Sequence, residues 1–409
     1  MNLLNNPEKR KWMIVVTIFI AIICNYLDRQ LLSILKPTIK AAFEMNDDGY
    51  AFIVNIFLIC YAVMYPISGI LAWSAACIGG GLSTNMEQFA FFRGLLGLAE
   101  PTIFAGQIVA VTVWFEKRQR ATANSLCTAG GSIGTVVAPI VIAWLSTIFP
   151  WNDVFVLAGA IGILIAIVWM AVYADPPKEI LDVTLSESAA NRHHGKAFTW
   201  GGLWKTRTLW GVLLIRFVSD PVWYFCLFWL PGYLQEDSGL TLIQVGWVGW
   251  IPFLFGAVGG VLTSAWSDKM VRRGMDPLRA RKRMMTLVAV AAPLCIFTPY
   301  FNALPPYWNV AAIIASFSLI AIMCLSWLYT ICVVIAEAFP VRNVASVVGI
   351  TAGFGAVGGA IFNYYVGQLL STMGPSLFLV MGVLHWIAVV ILWKMTRPEI
   401  PQEKQAVQK

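Results

Sequence analysis

The stretch Phe115-Glu116-Lys117-Arg118-Gln119-Arg120-Ala121-Thr122 recurs 224 residues later as Phe339-Pro340-Val341-Arg342-Asn343-Val344-Ala345-Ser346. In each copy a long apolar run ends at the Phe and a basic turn follows. The next run is rich in glycine, with Gly130, Gly131 and Gly134 in the first copy and Gly353, Gly355, Gly358 and Gly359 in the second. An earlier pair, Gly69-Ile70-Leu71 and Gly260-Val261-Leu262, also closes an apolar run in each half. Parallel repeats of this kind predict an all-α membrane protein of two homologous halves, the plan on which many secondary transporters are built.

Composition agrees. Of 409 residues, 59% are hydrophobic and 12% charged, with a mean hydropathy of +0.73, against roughly 45–50% apolar and about 25% charged in a soluble domain. A soluble enzyme, a nucleic-acid binder and a disordered chain are all excluded. At about 20 apolar residues per crossing, the chain has room for about a dozen spans. Apolar runs lie near 12–36, 51–84, 88–114, 121–147, 152–174, 209–234, 242–266, 284–301, 307–338, 344–371 and 375–395. The first has no cleavage motif before Asn25, so it reads as a retained span. The eight cysteines sit in apolar stretches without metal-ligand spacing and read as small core residues.

Lys9, Arg10 and Lys11 precede the first run, and Lys117, Arg118 and Arg120 follow the third. Residues 178–207 form a polar central loop, 268–283 is strongly basic, Arg342 sits in a late turn, and 394–409 closes the chain with further basic residues. The turns between them, at 44–49, 149–153, 236–239, 302–306 and 372–375, carry no Lys or Arg. This alternation places both termini in the cytoplasm, and the net charge of +7 belongs to loops rather than to an anionic partner. The central loop, including His193 and His194, reads as a linker and not a metal site. The expected domains are 1–174, a linker at 175–208, and 209–409.

The repeat also exposes a deficit. From Leu71 to Phe115 is 44 residues, whereas from Leu262 to Phe339 is 77, so the first half is 33 residues short. The second half follows Leu262 with a basic loop; the first runs straight into Ala72-Trp73-Ser74-Ala75. Charge alternation requires the run at 51–84 to cross twice, yet it is too short for two full spans. A truncation around 72–84 is expected.

Several motifs carry a family resemblance. Asp268-Lys269-x-x-Arg272-Arg273 resembles the signature loop of the major facilitator superfamily, which normally occurs between the second and third helices as well. Asn25-Tyr26-Leu27-Asp28-Arg29 and Arg93-Gly94-Leu95-Leu96-Gly97-Leu98-Ala99-Glu100-Pro101 resemble that superfamily's anion:cation symporters, which carry hexuronates, galactonate-type sugar acids and, in animals, glutamate or phosphate. Gly131-Ser132-Ile133-Gly134 through Ala138-Pro139, and Arg216-Phe217-Val218-Ser219-Asp220-Pro221-Val222-Trp223 leading to Trp229-Leu230-Pro231, look most like the bacterial hexuronate carriers. The resemblance implies twelve helices in two six-helix halves. Ala356 stands where galactonate-type members place a substrate-contacting Asn, so their sugar contacts do not transfer intact.

An ionisable group at mid-membrane costs about 2.5–3.5 kcal/mol on insertion scales and needs a reason. Arg93 and Glu100, seven residues apart, share a helix face. Asp28 and Arg29 point about 100° apart, so Arg29 can meet a cavity while Asp28 meets a neighbouring helix. Arg offers a planar, permanently charged fork for carboxylates, which makes Arg29 and Arg93 candidate anion ligands. By resemblance, Asp28 and Glu100 are candidate proton carriers. An Asp28 or Glu100 pair with Arg that merely locks two helices is the competing reading. Aromatic and polar candidates for sugar contact are Tyr26, Tyr61, Trp223, Ser132 and Asn363. Arg118, Asp268, Arg272 and Glu337 are candidate gating residues, and Arg216 with Asp220, four apart, a candidate intrahelical pair.

The sequence therefore predicts a monomeric carrier of a small organic anion, a hexuronate or related sugar acid, in the cell's inner or plasma membrane. No cofactor, metal or nucleic acid is expected, and the coupling ion is H+. The alternatives are sodium coupling on the same fold, or a transport-impaired binding variant in which the absent first loop removes one of two cytoplasmic latches. A membrane enzyme lacks support, since there is no zinc-binding His pair, phosphate loop or nucleophile motif.

Overall fold

In hydrocarbon a backbone N–H or C=O finds no water, so a spanning segment must satisfy its own hydrogen bonds, and the apolar runs fold as helices. The computed structural model describes residues 6–63, 70–115, 117–177, 198–305, 307–372 and 376–399. Along them run α1 (Pro7–Ile34), α2 (Lys36–Ala42), α3 (Asp47–Val63), α4 (Ile70–Gly81), α5 (Met86–Ala99), α6 (Thr102–Trp114), α7 (Lys117–Leu145) and α8 (Trp151–Val172). There follow α9 (Trp200–Leu203), α10 (Arg207–Glu236), α11 (Leu242–Val248), α12 (Ile251–Arg272), α13 (Pro277–Ala289), a 3-10 segment (Ala292–Ala303), α14 (Trp308–Ala338), α15 (Val341–Thr372) and α16 (Ser376–Met395). No strand occurs among the described residues.

The chain divides into two compact units, residues 1–194 with Leu240–Trp250, and residues 195–239 with 251–409. The central loop expected to be a linker lies largely outside the described residues. Inside the first unit α1 packs on α7 and α8, α3 on α5, and α4 on α5 and α8. Inside the second, α10 packs on α15 and α16, α12 on α14, and the 3-10 segment on α14 and α16. The two units therefore repeat one pairing scheme. Even the helix ends correspond: Phe115 and Phe339 each leave the helix in extended conformation, at φ −118° and −117°. Their N–H groups bond to Val111 O and Ile335 O, four residues back.

The glycines of the repeat let two helices touch backbone to backbone. A Cβ on Gly130 would lie 2.5 Å from Phe19 O, and one on Gly134 2.8 Å from Ile23 O, so α7 sits directly on α1. In the second unit a Cβ on Gly358 would lie 2.1 Å from Phe217 O, fixing α15 against α10 in the same way. Close approach through small residues is the main source of helix association where lipid tails are as apolar as leucine.

Nine described helical stretches are long and apolar enough to cross a membrane. The helices α3, α4 and the α5–α6 pair are not among them, and with those three places the chain is consistent with twelve spans. The deficit read from the repeat falls on the stretch 47–81, whose 35 residues hold α3 and α4 where the second unit has Leu242–Arg272 with 31 and Pro277–Ala303 with 27. At about 1.5 Å per residue the whole stretch makes at most about 52 Å of helix, less than two crossings of a hydrocarbon core of about 30 Å. Residues 64–69, between them, lie outside the described set.

Lys36 and Lys40 lie on the side that charge alternation makes non-cytoplasmic, an exception the loop pattern passes over. Both ammonium groups reach Asp47 Oδ1 at 2.9 Å. Partial burial alone would raise the Asp47 carboxyl, but the two lysines hold it below the usual carboxylate range. The tie fixes the corner from α2 into α3.

Gly358→Ala is expected to destabilise the purified protein by at least about 1–3 kcal/mol, since the new methyl meets a backbone carbonyl that cannot yield. Gly349→Ala, on the same helix with nothing within 4 Å, should be neutral or slightly stabilising. Thermal unfolding of the two variants side by side checks this, and equal midpoints would contradict it.

Candidate functional site

Helix α5 stops at Ala99, and α6 begins at Thr102, because Pro101 has no N–H to donate and its ring clashes with the preceding turn. Glu100 and Pro101 keep helical backbone angles, φ −64° and −61°, and Glu100 N–H still bonds to Leu96 O, so the chain is kinked rather than unwound and Glu100 sits at the kink. Gly97, one turn earlier, has no room for a side chain: a Cβ there would lie 2.3 Å from Phe57 O. That close contact sets α3 beside the kink.

Glu100 and Arg29 meet across this junction, with Nε to Oε2 at 2.5 Å and both side chains buried. The Arg29 guanidinium also lies 4.6 Å from the Tyr61 ring, 5.2 Å from Tyr26 and 5.9 Å from Phe57. Aromatic faces attract a cation electrostatically, and more strongly when water is excluded. Tyr26 is held in place by α7, since a Cβ on Gly131 would lie 2.7 Å from its ring. Arg29 Nη2 and Glu100 Oε1 make no hydrogen bond within the described protein, so each keeps one functional atom free in a buried setting.

Asp28 turns the other way, to α4. It accepts from Trp73 Nε1 at 2.7 Å and from Cys77 Sγ at 3.6 Å. Arg93 sits beside it but donates from Nη1 to the Asp28 backbone carbonyl at 3.3 Å rather than to the carboxylate. Its guanidinium lies 4.7 Å from the Phe155 ring and 5.3 Å from Phe89, and its Nη2 has no hydrogen-bond partner. Thus Arg93 and Glu100, on one face of their span, both address α1, and two buried arginines and two buried acids are gathered within the first unit.

The remaining residues singled out in the sequence fall elsewhere. Ser132 is half-buried on α7, on the polar side that also carries Asn124 and Thr128. There Gln107 of α6 donates to Asn124 Oδ1 at 2.7 Å and Thr128 Oγ1 at 2.9 Å, a contact the sequence reading did not single out. In the second unit Trp223 meets Phe253 edge to face at 6.0 Å. The Asn363 carboxamide is engaged at both ends: Oδ1 accepts from Trp229 Nε1 at 2.6 Å, and Nδ2 donates to Gly359 O at 2.8 Å. It ties α10 to α15, and one N–H of the carboxamide is left without a bond among the described residues. Arg216 and Asp220 form the intrahelical pair at 2.6 Å. Tight packing surrounds it, for a Cβ on Gly355 would lie within 2.0 Å of Asp220 Oδ2.

At the basic loop, Asp268 and Glu337 converge on one residue, Arg281. Its Nη1 lies 2.6 Å from Asp268 Oδ1 and 2.8 Å from Ser267 Oγ, and its Nε lies 3.2 Å from Glu337 Oε1. The sequence hid Arg281 in the run Arg279 to Arg283, although Leu278, Arg281, Met285 and Val288 share the buried face of α13. Arg272 is exposed at the end of α12. Arg118 lies in α7, with its side chain outside the described set. Among the described residues no group of three or more His, Cys, Asp or Glu assembles as a metal site.

A family model described as Major Facilitator Superfamily matches residues 18–333. The hexuronate transporter of Escherichia coli K12 is 24% identical, over 94% of this chain and 93% of its own length. That match extends over 413 positions while using 94% of 409 residues, so this chain is gapped against its relative. A D-galactonate transporter of Escherichia coli O6:H1 is 26% identical over 94% and 96% of the two chains. Among solved structures, a D-xylose-proton symporter superposes with a TM-score of 0.75 at 12% identity, covering 95% and 98% of the chains. A bacterial homolog of the human lysosomal transporter Spinster, inward-facing and occupied, gives 0.70 at 16% identity, covering 94% and 96%. At such identities these two likenesses speak for the fold.

Trp73→Phe keeps the bulk of the side chain and removes the N–H that Asp28 accepts. A stability loss of about 1–3 kcal/mol is expected for an acid deprived of a buried donor. Asp28→Asn in the Trp73→Phe background should lose little more than either change alone. Thermal unfolding of this double-mutant cycle reads the coupling, and strict additivity would show that the contact carries no energy.

Proposed function

Since the chain belongs to the Major Facilitator Superfamily, and so is a multi-pass membrane transporter and not an enzyme, we propose that it carries a small sugar acid together with protons by alternating access. The substrate class is supported by relatives named for hexuronate, D-galactonate and galacturonate. The observation that carries the reading is the Arg29–Glu100 contact at 2.5 Å inside an aromatic cage. A substrate carboxylate offered to the free Arg29 Nη2 competes with Glu100 for the same guanidinium. Glu100, released from its counter-charge in a low-dielectric setting, is better off neutral and takes a proton. Anion and proton then move as one electrically lighter unit. Asp28 serves as the second proton-carrying acid, and Arg93, with one unpartnered nitrogen, as the second anion ligand. Tyr26 and Tyr61 form the wall against which the sugar ring rests.

The chain is further proposed to act as a monomer in a bacterial inner membrane with both termini cytoplasmic. One latch is present, the Arg281 cluster with Asp268 and Glu337. The 33-residue deficit after Leu71 argues that its first-half counterpart is lacking and that flux is low. Sodium coupling on the same fold, or binding without flux, are the competing outcomes of one experiment.

In proteoliposomes, uptake of labelled D-galacturonate should rise with an imposed inward proton gradient and not with a sodium gradient. Glu100→Gln should abolish gradient-driven uptake and retain part of the substrate exchange. Uptake driven by sodium alone, or proton-driven uptake unchanged in the variant, would overturn the coupling scheme. Thermal stabilisation by the sugar acid without any flux would assign a binding role instead.

A further inference from the structure

The first unit holds a second polar cluster besides Arg29 and Glu100, where α6 meets α7. Because the chain is kinked and not unwound at Pro101, helical phase carries through, and Arg93, Glu100 and Gln107, spaced by seven, form one stripe along the span. Gln107 is only 3% exposed. Its Nε2 is fully engaged, donating to Asn124 O at 3.2 Å, Asn124 Oδ1 at 2.7 Å and Thr128 Oγ1 at 2.9 Å. Its Oε1 accepts from nothing among the described residues. A buried amide oxygen left unpaired is destabilising, and folded proteins keep few of them without a reason.

Helix packing does not supply that reason. The offset of 224, which aligns Gly131 with Gly355 and Gly134 with Gly358, carries Gln107, Asn124 and Thr128 onto Ile331, Val348 and Ala352. The second unit therefore makes the corresponding contact, α14 on α15, with three apolar residues. A carboxamide that only ties helices together would also engage both its oxygen and its nitrogen, as Asn363 does.

The cluster borders open space. On α7, Asn124, Ser125, Thr128, Ser132 and Thr135 fall within an arc of about 100°, and the exposed apolar residues Leu126, Ile133 and Ile140 lie outside it. Ser125 and Thr128 are exposed, and a Cβ on Gly106, the neighbour of Gln107, would meet nothing within 4 Å. A polar arc turned to open space on a spanning helix faces water rather than lipid. Gln107 lies two turns, about 10 Å, from Glu100 toward the cytoplasmic end of the span. A six-carbon acid whose carboxylate meets Arg29 bridges that distance together with a hydrogen bond at each end.

We propose that Gln107, with Asn124 and Thr128, is the subsite that reads the hydroxyls of the substrate. Gln107 Oε1 accepts from one hydroxyl. Thr128 Oγ1, which donates its own proton to Asn124 O at 2.9 Å, accepts from another through its second lone pair. The inference rests on the sugar-acid reading and adds to it what selects a polyhydroxy acid over a plain carboxylate, since a site built to bond a hydroxyl rejects ligands that lack it.

The purified full chain is to be titrated with D-galacturonate and with the tetrahydropyran carboxylate that has the same ring and acid but no hydroxyl. The unaltered protein should prefer D-galacturonate by at least about tenfold. Gln107→Leu should weaken D-galacturonate binding about tenfold, the worth of one net hydrogen bond, and leave binding of the hydroxyl-free acid unchanged. Its unfolding midpoint without ligand should be no lower, because an apolar residue, Ile331, serves at the matching position. An unchanged preference in Gln107→Leu, or equal losses for both acids, would overturn the subsite; an unchanged preference with a lowered midpoint would make the cluster a helix tie. If Gln107→Leu does not fold, Thr128→Val, at an exposed position, decides by the same preference. Binding of neither acid by the unaltered protein would overturn the sugar-acid reading and the subsite with it, whereas binding with an unchanged preference in the variants overturns the subsite alone.

Discussion

A charge inside hydrocarbon must be held by something, and in this protein the holding is done chiefly by one contact, Arg29 to Glu100 at 2.5 Å. Three packing decisions converge on it. Pro101 ends α5 and leaves Glu100 at the kink; Gly97 lets α3 approach with Tyr61; Gly130, Gly131 and Gly134 seat α1 and its Tyr26 on α7. Each of these residues has an ordinary structural job, and together they deliver a cation, an acid and two aromatic rings to one place. The contact is both a lock between helices and a site, because each partner retains one unbonded atom. A lock alone would be expected to satisfy every group it buries.

The two units share a pairing scheme but not a chemistry. In the first, ionisable groups reach between helices: Arg29 to Glu100, Arg93 to the Asp28 carbonyl, Asp28 to Trp73. In the second, the counterpart of the Arg29 region is Arg216 with Asp220, closed on each other within one helix, Asn363 is engaged by Trp229 and its own turn, and the pairs between helices are those of Arg281 at the basic loop. An intrahelical pair can be carried by a helix that moves as a rigid rod without being broken. Pairs between helices must be remade whenever those helices shift, which is where a ligand that competes for one partner gains leverage.

Much of this was legible in the sequence. The repeat placed helix ends at Phe115 and Phe339 and glycine faces on α7 and α15, since small residues at helical spacing mean close packing. The 100° angle between Asp28 and Arg29 foretold their separate partners. What stayed hidden depended on tertiary neighbours. Trp73 was one of 18 tryptophans, and only its nearness to Asp28 distinguishes it. Arg281 was masked by the basic residues around it, although its phase on α13 is that of a core position. Asn363 looked like a free polar group because its partner, Trp229, is 134 residues away. The 33-residue deficit was readable as a number, and it falls on the stretch 47–81 that holds α3 and α4.

That shortfall has a consequence for the membrane around the protein. The 35 residues of 47–81 make at most about 52 Å of helix, less than two crossings of a hydrocarbon core of about 30 Å, and a lipid film beside such segments thins to relieve the mismatch. Asp28 accepts from Trp73 and Cys77 in the second of those segments, so a thinning that shifts α4 shifts the donors of that carboxylate with it.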